Sequence, residues 1–90
     1  MITSAAVLRP REDLVLEVFD DAILIWDERR SKLHHLDAIA ARIWSRIDGE
    51  RSAGAISDGL AVEFPDVPRD RLTGDVINLL QRVQDEGLCA

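Results

Sequence analysis

Between Leu14 and Leu36 apolar residues come in short runs broken by charged turns, whereas beyond Leu36 they recur every three to four positions. Residues 14–19 and 22–26 are rich in β-branched and aromatic side chains and are parted by Asp20-Asp21, which predicts two strands. Residues 27–31 are polar and have the length of a hairpin loop, so Lys32-Leu33-His34-His35-Leu36 forms a third strand. The run 22–26 is apolar on both faces, the pattern of a middle strand or of one covered on both sides. After it, Asp37 caps a helix carrying Ile39, Ala40, Ile43, Trp44 and Ile47 at helical spacing, which Asp48-Gly49 ends. Ser52 caps a second helix with Ala53, Ile56, Leu60 and Phe64 on one face; Gly54 and Gly59 each cost it about 1 kcal/mol relative to alanine. Pro68 opens the longest helix, whose stripe is Leu72, Val76, Leu79, Leu80 and Val83 and whose stop is Gly87. Gly74 inside it marks either a weak point or the close approach of another backbone. Three antiparallel strands followed by a three-helix bundle make an α+β domain of winged-helix-like type.

Composition narrows the function. A chain of 90 residues has room for one domain, spanning 1–90, and not for a catalytic fold plus a cofactor domain. At 47% hydrophobic and 31% charged, it has the balance of an ordered domain. Eleven Lys and Arg against 17 Asp and Glu give a net charge of −6, which repels a phosphate backbone unless the cations gather on one face. The single cysteine, Cys89, excludes an internal disulfide and a multi-cysteine metal site, and fits a reducing cytoplasm. The first residues have no basic start, and no apolar run reaches the roughly 20 residues of a membrane span, so the sequence predicts a soluble, unprocessed chain.

Each catalytic pattern fails on inventory, and no cofactor is implied. His34 and His35 are neighbours in a strand and point to opposite faces, so they do not chelate one ion; one is expected packed and the other exposed. Cys89 stands one position from the last residue, where fraying is expected, with no base nearby in sequence. Asp20-Asp21 and Asp27-Glu28 read as solvated turn charges. There is no glycine-rich phosphate loop and no nucleophile elbow. The chain is not expected to be an enzyme.

Two binding modes remain for such a fold: a helix in a DNA groove, or an extended peptide added to a sheet edge. From Ser52 onward Asp58, Glu63, Asp66, Asp70, Asp75, Asp85 and Glu86 outnumber Arg69, Arg71 and Arg82, so the helical face would be pushed from phosphate. A strand starting at Lys32 and feeding straight into a helix leaves one row of backbone groups open to another chain. Ordering a peptide there costs about 1–2 kcal/mol per residue, against about 1 kcal/mol for each backbone hydrogen bond gained. Apolar anchors are therefore required, and two leucine-sized side chains would add about 3–6 kcal/mol.

The run from Lys32 to Trp44, with the Asp48-Gly49 turn, resembles the strand-to-helix segment of PqqD-like proteins. Pro68, Asp75-Val76, Leu79-Leu80 and Glu86-Gly87-Leu88 resemble that family's last helix, and the likeness covers roughly residues 14 to 88. Asp37 stands where asparagine is common, and capping survives the change. The resemblance implies a RiPP recognition element. Such a domain is a peptide chaperone that binds the leader of a ribosomally made precursor peptide by strand addition and presents it to a modifying enzyme, often a radical SAM protein. It also implies the site: Lys32, Leu33, His34, His35 and Leu36, facing Leu72, Val76, Leu79 and Val83 of the last helix. Two rivals stand beside this expectation. One is a winged-helix DNA binder using Arg29, Arg30 and Lys32; the other is a homodimer that occupies its own strand edge.

Overall fold

Asp20 adopts a left-handed conformation, φ 56°, which a short polar side chain tolerates. It turns the chain between β1 (Val15–Phe19) and β2 (Ala22–Asp27), leaving Phe19 opposite Ala22. Ser31, at φ 50°, closes the second loop into β3 (Lys32–Leu36), where Lys32 opposes Asp27. The computed structural model describes residues 2–90, and its sheet is antiparallel in the order β1-β2-β3. The doubly apolar strand is indeed the middle one. Its second face is nevertheless uncovered: Ile23, Ile25 and Asp27 are buried, while Trp26 is exposed.

Helix α1 (Ala38–Trp44) starts where Asp37 accepts the Ala40 N–H at 2.9 Å. It stops at Trp44, before the Asp48-Gly49 turn that the pattern predicts. The Ser45 hydroxyl donates to the Ala41 carbonyl, and the N–H groups of Arg46 and Ile47 reach back three residues instead of four. This tightening turns Ile47 into the core. Helix α2 (Ala53–Glu63) is capped by Ser52, which accepts the Ala55 N–H at 3.2 Å. Helix α3 (Arg69–Asp85) follows Pro68, packs along α2 and buries Leu72, Val76, Leu79, Leu80 and Val83. Gly74 meets nothing within 4 Å of where a Cβ would stand, so no second backbone approaches it.

The first residues form a strap that the hydrophobic pattern did not announce. Ser4 and Ala6 accept the N–H groups of Gly54 and Ala53, Leu8 accepts that of Gly49, and Arg9 and Ala90 exchange two backbone hydrogen bonds of 3.0 Å. A side chain at position 54 would press on the Ser4 carbonyl, so glycine is used there for close approach. Ile2 and Leu8 of the strap are buried. Cys89 is likewise buried and bridges Pro10, not frayed as its position suggested, and burial pushes its thiol up to about 12.

The strap also overturns the reading of Asp27 as a solvated loop charge. Strand parity puts it on the inner face with Ile23 and Ile25, where it is fully buried. Arg11 reaches it through two bonds, Nη1 to Oδ2 at 2.8 Å and Nη2 to Oδ1 at 3.1 Å, and its hydrogen bonding holds the Asp27 carboxyl below its ordinary range.

Candidate functional site

Backbone groups alternate sides along a strand, and β3 has a neighbour on one side only. The His35 carbonyl accepts from Arg82 Nη2 at 3.2 Å across the other side, so His35 presents its N–H and C=O outward. By the same alternation Leu33 does so too, while Lys32, His34 and Leu36 are paired to β2. Among the described residues no strand pairs with this edge.

Helix α3 forms the facing wall with its own backbone held away from the strand: no Cα of α3 lies within 8 Å of a Cα of β3. Long side chains span the gap. Besides Arg82, Lys32 Nζ meets Glu86 Oε2 at 2.9 Å and Arg30 Nη1 donates to the Glu86 carbonyl at 2.9 Å. The Lys32 bond holds the Glu86 carboxyl below its usual range. At the end of the gap nearest Asp37 lies a cleft of about 330 Å³ between α1 and α3. Its floor is Ile39, Ala40, Ile43 and Leu79, and its rim holds Asp37, Arg71, Asp75, Asn78 and Arg82.

The expected site residues divide into three groups. Lys32, Leu33 and His35 are exposed at the free edge. His34 and Leu36 are buried on the sheet's inner face, and His34 Nε2 has no hydrogen-bond partner among the described residues. Of the four helix residues assigned to the groove, Leu79 reaches the cleft, but Leu72, Val76 and Val83 are wholly buried and belong to the core. The reason is helical phase: the stripe that turns toward α2 and α1 is the most apolar one, so the wall beside β3 is its mixed polar flank. Sequence reasoning missed Arg82, Ile39 and Ile43 as wall and floor. A lone arginine one turn from Leu79 carries no signal until the helix is set against the strand.

The open strand edge, the facing helix and the cleft belong to a winged-helix-like α+β domain of three antiparallel strands followed by three helices. No group of three metal-ligating side chains gathers among the described residues, and no helix there is long and apolar enough to cross a membrane. The chain belongs to the PqqD family: residues 22–88 match the family described as coenzyme PQQ synthesis protein D. It is 41% identical over 51 residues to a PqqA binding protein of Bradyrhizobium diazoefficiens, covering 57% of this chain and 48% of that protein. The chain thus spans about half the length of that curated relative. Its fold is similar to TbiB1 in complex with the TbiA(beta) leader peptide, with a TM-score of 0.78, 22% identity and coverage of 90% of this chain and 93% of that one. It is also similar in fold to a lasso peptide synthetase B1 complexed with the leader peptide, with a TM-score of 0.80, 22% identity and coverage of 94% of this chain and 99% of that one.

Proposed function

We propose that this chain acts as a single-domain peptide-binding adaptor in the cytoplasm. It captures the leader segment of a ribosomally made precursor peptide as a fourth strand on β3 and presents it to a modifying enzyme, of the radical SAM class. The observation that carries the reading is the unpaired β3 edge, held apart from α3 by a gap that side chains alone span. The incoming backbone would bond to the outward groups of Leu33 and His35, beside Lys32 and above the buried His34 and Leu36. Apolar anchors would enter the cleft over Ile39, Ile43 and Leu79. An unpartnered His34 Nε2 beside this edge also suits a surface completed by a ligand. The names of the relatives, a PqqA binding protein and two leader-peptide complexes, support the same reading.

The DNA-binding alternative is not supported. Lys32 is paired with Glu86, Arg29 with Asp13, and Arg30 is engaged on the Glu86 carbonyl, so the wing cations are already committed. The test is a titration with the leader of a precursor peptide encoded beside this gene, followed by amide shifts and light scattering. Shifts centred on residues 32–36 and the cleft, on a monomer, are expected. Shifts confined to other residues would defeat the proposed site, and a dimer that dissociates on adding leader would mean that a second copy occupies the edge.

A further inference from the structure

Seven of the eleven cations of this acidic chain have a carboxylate within 4.0 Å; among the described residues Arg9, Arg30, Arg71 and Arg82 do not, and the last two stand together. Both line the cleft between α1 and α3. The acids on the same rim do not satisfy them: Asp37 uses Oδ1 to cap α1, and among the described residues Asp75 pairs with neither arginine within 4.0 Å. Arg82 differs from Arg71 in also reaching across the gap, where its Nη2 sits on the outward His35 carbonyl. That is the direction from which the N–H of an added strand must arrive.

We propose that Arg82 is a latch that selects acidic leaders: the incoming backbone displaces it from His35, and the freed guanidinium pairs with a carboxylate of the peptide. This deepens, and rests on, the strand-addition reading. The exchange is balanced, because the His35 carbonyl keeps a donor while Arg82 replaces a neutral acceptor with a charged one, the stronger kind of bond. A peptide without an acid leaves the displaced guanidinium to water and to the field of Glu86, which Lys32 already holds, and so gains little from opening the latch. Side chains two apart on a strand share a face about 6–7 Å apart, so one peptide can place an apolar group in the cleft and an acid two residues away at Arg82. The ligand class is therefore an extended peptide with an aspartate or glutamate spaced by two from a bulky apolar residue.

Random dodecapeptides displayed on phage, selected in parallel on the intact protein and on Arg82→Gln, test this without knowing the natural leader. Arg82 is exposed, so circular dichroism should give the same melt for both proteins. The expected result is enrichment of an acid at that fixed spacing on the parent, lost on Arg82→Gln. A winning peptide should bind Arg82→Gln about tenfold more weakly, whereas its Glu→Gln twin should not distinguish the two proteins. Peptides that shift the Leu33 and His35 amides but show no acidic preference would overturn the latch and leave strand addition standing. No enrichment, or winners that shift only other amides, would overturn both.

Discussion

The sheet has two unpaired edges, and they differ in what stands beside them. Every residue of β1 is exposed, with Val15, Leu16, Val18 and Phe19 at 49–71%, and no helix runs alongside. Beside β3 stand α3, the cleft and the Arg82 latch. Both edges offer the same backbone hydrogen bonds, worth about 1 kcal/mol each and insufficient against about 1–2 kcal/mol of ordering per residue. The β3 edge adds a cleft floored by Ile39, Ile43 and Leu79 on which a ligand can bury apolar side chains. By contrast, the cleft of about 290 Å³ beside Val18 of β1 is lined largely by Asp20, Asp21, Arg42 and Ser45. The β1 edge is guarded instead: a second copy paired antiparallel about Glu17 would bring two carboxylates together, with Asp20 and Asp21 close by. A strand edge becomes a selective site through what faces it.

The sharpest way to break that contrast is to remove the support under the walled edge. Trp44, at the end of α1, is 5% exposed, and Trp44→Ala should cost about 3–5 kcal/mol in urea denaturation by leaving a cavity. A melt like the parent's would mean that the cleft does not depend on α1 packing. Next comes the buried pair that ties the strap to β2. Asp27 has a depressed carboxyl because Arg11 bonds to it, so the unfolded chain takes up its proton more readily than the folded one. Its contribution is complete above the ordinary value of 3.8 and is lost as pH falls through the lower folded value. Asp13, held down first by Arg11, and Asp48, held by the N–H groups of Arg51 and Glu50, act in the same direction. Asp27→Asn should therefore lower the melting temperature at pH 7 and reduce the acid-induced loss of stability, both read by circular dichroism.

The edges themselves can be compared with matched substitutions. By ladder alternation Leu33 and Val18 both point their N–H groups away from β2, so proline at either breaks no bond within the sheet. Leu33→Pro should weaken leader binding by at least about fivefold in calorimetry, and Val18→Pro should leave it unchanged. Equal losses would show that the peptide does not add to β3. The smallest effect is expected away from both edges. Gly74→Ala meets open space within α3 and should raise stability by about 0.5–1 kcal/mol without altering binding.

Much of this was legible in the chain. The change from runs to three-to-four spacing after Leu36 marked the switch from sheet to helices, and Asp37 and Ser52 marked two caps, because these signals act over a few residues. The strand half of the site could be read in the same way, as a third strand that enters a helix directly. The helix half could not: Leu72, Val76 and Val83 were apolar at the right spacing, but apolarity draws a residue into the core and not into a solvent-lined groove.

By itself the sequence determined the elements, their order, the middle strand and the opposite faces of His34 and His35, since each follows from local backbone preference and side-chain parity. Tertiary structure alone decided that Arg11 neutralises Asp27, that the first residues strap the helices to Ala90, and that Arg82 meets the His35 carbonyl. Those contacts join residues 16, 81 and 47 positions apart, and no local rule couples positions so distant before the core has set their elements side by side.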